Sequence, residues 1–193
     1  MRKVILPIVV LVALVFVVYI IVIKKQEDKH QKAAPISVNT GDSLTGSVGA
    51  ALQAYYNLKD AFIKSDSLLV NRNAGVFADK LSSINSSDIK GDTAIIELTK
   101  QLKDNLISGT NSIISAGELE SKRKNFQVVS DGLFDLLRSI GYNSSKVYQL
   151  YCPMAFDNAG AAWLSDSREI VNPYFGEKML HCGDLRDSVN IQQ

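Results

Sequence analysis
Val48-Gly49-Ala50-Ala51-Leu52-Gln53-Ala54-Tyr55-Tyr56-Asn57-Leu58-Lys59-Asp60-Ala61-Phe62 is the stretch whose reading decides the fold. Val48, Leu52, Tyr55, Lys59 and Phe62 recur at spacings of three and four, which marks one face of a helix. The apolar stripe Val48, Leu52, Tyr55 and Phe62 must then be buried against another element. Three further segments offer such partners. Asp66 can cap a helix carrying Val70, Ala74, Phe77, Ala78, Leu81 and Ile84. Ser86-Ser87-Asp88 interrupts that run and is placed to cap a third helix with Ile95, Leu98, Leu102, Leu106 and Ile113 on its apolar side. A fourth runs from about Glu118, burying Leu119, Phe126, Val129, Leu133, Leu136, Leu137 and Ile140, with Gly141 as its C-terminal stop. Four amphipathic helices joined by short polar turns predict a mostly α protein built as an antiparallel four-helix bundle.

Beyond Gly141 the period changes. Val147 to Cys152 is strand-like, Asp157-Asn158-Ala159-Gly160 is turn-like, and Ala161-Ala162-Trp163-Leu164 can return as a second strand. The expectation is a small C-terminal β-hairpin packed on the bundle, with Trp163 in the core. Asn172-Pro173-Tyr174-Phe175-Gly176 reads as a turn, and Tyr174 and Phe175 as a buried plug rather than a groove.

Upstream of the bundle, Val4 to Ile23 is an unbroken apolar run, long enough to cross the roughly 30 Å core of a bilayer as a helix. A cleavable signal peptide has a shorter apolar core of about 7–15 residues ending in a small-x-small site, and none follows Ile23. The sequence therefore predicts one N-terminal transmembrane anchor over residues 1–25, a polar flexible tether over 26–46, a helical domain over 47–185 and a short tail over 186–193. Lys and Arg flank the apolar run on both sides, but short N-terminal tails usually stay in the cytoplasm, which places the domain outside it. The chain carries 21 Lys and Arg against 20 Asp and Glu, a balance with no electrostatic footprint for nucleic acid. The cluster Lys122-Arg123-Lys124 reads as a solvated helix face.

Chemistry is concentrated at the end of the chain. Both cysteines, one of the two histidines and both methionines beyond the initiator fall between Cys152 and Cys182. Cys152-Pro153-Met154 and Met179-Leu180-His181-Cys182 each pair a thiolate with a thioether. Such soft donors favour Cu(I) or Ag(I) over Mg, Ca or Mn, with His181 as a further imidazole ligand. A structural zinc site normally takes four Cys or His ligands, and the cluster offers three. The alternative is a Cys152–Cys182 disulfide, usual for a cysteine pair in an oxidising compartment and worth about 3–4 kcal/mol for a loop of this length. Spacing alone leaves both open. Catalytic signatures are missing: there is no Gly-rich phosphate loop, zincin helix or nucleophile elbow, so no enzyme is expected.

The tail motifs Cys152-Pro153-Met154-Ala155, Trp163-Leu164-Ser165, Ile170-Val171-Asn172-Pro173-Tyr174-Phe175-Gly176 and Met179-Leu180-His181-Cys182-Gly183 resemble, in order, those of the domain of unknown function 3347 family. The segments Tyr55 to Ala61 and Arg123 to Phe126 are similar to its helical part. Members known mainly from Bacteroidota occur alone or fused to periplasmic adaptor subunits of heavy-metal efflux systems. The resemblance implies an inner-membrane, single-pass protein whose C-terminal domain lies in the periplasm and handles copper or silver. It also implies an efflux adaptor or another periplasmic metal-handling protein as partner. Cys152, Met154, Met179, His181 and Cys182 would be the ligands. In contrast to the fused members, this chain is expected to have its own anchor, and no adaptor hairpin or lipoyl-like pattern is expected in its sequence.

Overall fold
The apolar period of residues 48–62 is realised as a helix longer than the stripe required. In a computed structural model that describes residues 42–89 and 91–189, α1 spans Asp42–Ile63. It therefore starts inside the stretch read as tether, and Leu44 is already buried. The expected anchor over residues 1–25 and most of the tether lie outside the described residues. No helix among the described residues is long and apolar enough to cross a membrane.

Helix α2 (Ser67–Ser82) follows a tight turn, and the Asp66 carboxylate caps it by accepting from the Leu68 and Leu69 amides. Helix α3 (Thr93–Ser115) is capped not by Ser86-Ser87-Asp88, which forms a 3-10 turn, but by Asp92, which accepts from the Ile95 amide. Asp88 instead accepts from the Ser43 hydroxyl at 2.9 Å, fastening this turn to the start of α1. Helix α4 (Leu119–Ser139) ends at Gly141, whose positive φ lets the Tyr142 amide reach back to the Leu137 carbonyl. Consecutive helices pack against one another, and α4 returns to α1 through stacked rings, Tyr55 on Phe126 with centroids 5.3 Å apart. The result is the helical bundle that the four stripes predict.

Two details differ from the periodic reading. On α3 the buried positions are Thr99, Leu106, Thr110 and Ile113, while Leu98 is exposed. The threonines qualify as core because each hydroxyl donates to the carbonyl four residues earlier, Ile95 or Leu106, and so leaves no unmet polar group. Lys122 and Arg123 do not form a solvated face with Lys124. Lys122 is 1% exposed, and its ammonium donates to Asn71 Oδ1 and to the Ile113 and Ile114 carbonyls at the end of α3. Burial lowers its pKa. Those last carbonyls have no partner within their own helix, which explains why a cation is tolerated there.

The C-terminal segment is a three-stranded antiparallel sheet rather than a hairpin. Strands β1 (Val147–Cys152) and β2 (Ala161–Ser165) pair as expected, with Cys152 opposite Ala161. A third strand, β3 (Asp184–Val189), pairs with the other side of β1, giving the order β2-β1-β3. The register slips between Gln149 and Leu150, so Arg186 is the extra residue of a bulge and its guanidinium lies 4.8 Å over the Tyr151 ring. Strand β2 is wholly buried and packs on α4. Its outer edge is closed by phenols: the Tyr55 oxygen accepts from the Leu164 amide at 3.0 Å, and the Tyr174 hydroxyl donates to the Ala162 carbonyl. Tyr55 also bonds Ser130 Oγ at 2.6 Å, so one hydroxyl joins α1, α4 and β2.

Candidate functional site: a thiol pair beneath the C-terminal strand
Pairing with β2 fixes the backbone at the end of β1, and Cys152 is fully buried there. Cys182 arrives from the far side of a long excursion. After β2 the chain passes through Asn172, whose carboxamide makes two bonds: Oδ1 accepts from the Tyr174 amide at 2.8 Å, and Nδ2 donates to the Cys182 carbonyl at 2.7 Å. The Asn172 amide itself donates to the Leu180 carbonyl, closing a loop over residues 172–182. Pro173 lies inside that loop, and its carbonyl accepts from Arg123 Nε at 3.0 Å, while Arg123 Nη2 donates to Ser65 Oγ and the Phe62 carbonyl. One partly buried guanidinium thus ties the Asn-Pro-Tyr-Phe-Gly turn to the end of α1. Tyr174 is a buried plug, as expected, stacked edge-on against Trp163.

Gly183 completes the placement. Its φ of 149° suits glycine, and a Cβ there would sit 2.8 Å from the Trp163 ring and 3.0 Å from the Tyr151 carbonyl. Strand β3 can lie this close to β1 only because that side chain is absent. Cys182 is consequently carried against Cys152, with the two Sγ atoms 2.6 Å apart. That is longer than the ~2.03–2.05 Å of a covalent disulfide. The hydrogen bond shared with Cys152 and the desolvation of the site push the Cys182 pKa up to about 11. The Met154 amide acts against this by donating toward the Cys182 sulfur.

The remaining sequence-derived ligands are placed around this pair rather than in it. Met154 is 48% exposed beside Cys152, at the N-terminal side of the turn 155–158. Met179 is half-buried and ends a 3-10 turn, where its carbonyl accepts from the Cys182 amide at 3.1 Å. His181 is exposed and its Nδ1 faces the Ile170 carbonyl at 2.9 Å, a contact that fits the Nδ1–H tautomer and leaves Nε2 with the free lone pair. Among the described residues no group of three or more His, Cys, Asp and Glu is placed to hold a metal ion. Asn172, Arg123 and Gly183, which set the geometry, were not among the expected site residues. An Asn-Pro turn and a glycine directly after a cysteine are the only sequence signals of their roles.

Residues 51–145 match the family described as Protein of unknown function (DUF3347). Over that span the chain belongs to this family. The DUF3347 match covers α2, α3, α4 and most of α1 and stops two residues before β1, so the thiol pair lies C-terminal to it. No curated protein and no solved structure matches the chain.

Proposed function
We propose that this protein is a membrane-anchored, periplasmic soft-metal handling protein that takes up Cu(I) or Ag(I) through Cys152 and Cys182. The observation that carries the reading is the convergence of two cysteines thirty residues apart on one point, with Met154 exposed beside them. Two thiolates with thioethers in reach form a donor set suited to a monovalent soft ion. An ion held between two sulfurs at roughly 2.3 Å from each needs them to separate to about 4–4.6 Å. Cys152 is fixed in the central strand, so Cys182, half-buried and following a 3-10 turn, is the side chain that turns outward. Ligation also displaces the thiol protons, so uptake strengthens as pH rises toward the Cys182 value. Met154, Met179 and His181 complete or relay the coordination, and an efflux adaptor or another periplasmic metal-handling protein is the proposed receiver.

The 2.6 Å sulfur separation favours a second reading, a non-metal interaction module in which Cys152 and Cys182 form a disulfide that staples β3 to the sheet. One experiment separates the two. The full chain is reduced, kept anaerobic and titrated with Cu(I) against a chromophoric competitor, beside a Cys152→Ser, Cys182→Ser double variant. Uptake of one equivalent that the double variant loses supports metal handling. Equal behaviour of both proteins, together with an intact mass showing no free thiols before reduction, leaves the staple.

A further inference from the structure
We propose that a cleft between the start of α4 and the C-terminal segment is a binding site for a small organic anion, a carboxylate carried on a flat apolar body. The cleft has a volume of about 260 Å³, and Phe156, Tyr174 and Phe175 line it together with Glu120, Arg123 and Lys178. That volume is just below the ~300–1,000 Å³ usual for small-molecule sites, so the occupant is of the size of one ring and its acid group.

Charge selects the anion. Arg123 uses Nε and Nη2 on Pro173, Phe62 and Ser65, and these are neutral acceptors. Among the described residues its one carboxylate partner is Glu120, 3.9 Å from Nη1, beyond hydrogen-bond length and on a side chain that is 60% exposed. The Arg123 side chain is 11% exposed, so its charge is largely removed from water without a close counterion. Lys178 adds a second, exposed cation to the lining. An incoming carboxylate would meet two cations against one weakly engaged acid.

The walls select the apolar body. Phe156 and Tyr174 meet edge to face with centroids 5.3 Å apart. Phe156 holds this position through a backbone that a bulky residue seldom adopts: it, Asp157 and Asn158 have φ of 53°, 57° and 68° in succession, a left-handed turn. That region is unfavourable for residues with a Cβ, and the phenylalanine side chain, unlike Asn or Asp, can make no local hydrogen bond to offset it. The turn leaves the Phe156 ring half-buried in the cleft wall instead of wholly within the core.

The test uses benzoate as probe and benzamide as its uncharged counterpart, titrated into the full chain and read from the aromatic NMR signals of Phe156 and Tyr174. Saturable benzoate shifts are expected at both rings, with benzamide at least about tenfold weaker. Lys178→Glu should weaken benzoate by about tenfold and Glu120→Gln should strengthen it, and both positions are exposed enough for the variants to fold. Equal response to benzoate and benzamide, shifts that leave these rings unmoved, or indifference to Lys178→Glu would each overturn the proposal.

Discussion
Replacing Lys122 by Met tests whether a buried ammonium holds α3 to α4. Methionine keeps an unbranched side chain of similar length, so the change removes the charge and its three hydrogen bonds with little change in volume. The bonds run to Asn71 Oδ1 at 2.8 Å, the Ile113 carbonyl at 2.8 Å and the Ile114 carbonyl at 3.3 Å. Hydrogen bonds from a charged donor contribute about 1.5–3 kcal/mol each, and a buried carbonyl left unmet costs about 1–3 kcal/mol. Against this, the variant no longer desolvates an ammonium, a cost of several kcal/mol. We expect a net loss of about 3 kcal/mol, which for a domain of this size lowers Tm by about 6–12 °C. Urea unfolding followed by circular dichroism is the assay, with Lys124→Met as control, since Lys124 is exposed and should shift stability by less than about 0.5 kcal/mol. The sign of the pH dependence gives a second check. Because burial lowers the Lys122 pKa, the charged form is penalised in the fold, and this penalty is relieved as pH rises from the folded pKa toward 10.5. The Met variant should lack that gain. A Lys122→Met protein as stable as its parent would refute the argument that the ammonium satisfies the end of α3.

Tyr55→Phe should cost about 1–3 kcal/mol in thermal or urea unfolding, because it leaves the buried Leu164 amide and Ser130 hydroxyl without the phenol. Burial raises the pKa of Tyr55, Tyr56 and Tyr174 above the usual value of 10, so their contribution is intact below pH 10 and is lost above it. Urea midpoints measured from pH 8 to 11 should therefore fall steeply past 10, and a flat profile would contradict burial of the three phenols. Gly160→Ala places a Cβ 1.8 Å from the Tyr151 hydroxyl at a φ of 80°, and should lower Tm by several degrees. In the reduced protein, iodoacetamide should label Cys182 slowly at neutral pH, with a rate that climbs until about pH 11. Mass spectrometry of the tail peptide reads that profile.

The helices were legible because each carries its own period and several carry their own stops. Asp66 and Gly141 act locally, and both perform the roles their chemistry suggests. The errors arose where tertiary partners decide. Lys122 looks solvated beside Arg123 and Lys124, and nothing local reveals that the end of α3 waits for it. Thr99 and Thr110 read as polar until their hydroxyls turn back on their own helix. Strand β3 was missed because Asp184-Leu185-Arg186-Asp187-Ser188-Val189 has no clean apolar alternation and carries a bulge. At the site, the cysteines were evident from composition, but their meeting depends on Asn172, Arg123 and Gly183, whose roles exist only after the loop has closed.

The strand order has a consequence for how the protein is made. The middle strand of the sheet is the first of the three to be synthesised, and one of its two edges is covered by Asp184–Val189, the last of them. An emerging polypeptide can assemble its helices in sequence, as neighbours in the chain pack together. It cannot finish the sheet until Asp184–Val189 has emerged, and until then β1 offers an open edge of unpaired amides and carbonyls. Termination before Asp184 would thus leave the helical bundle with a strand-seeking surface, a species better suited to aggregation or proteolysis than to work.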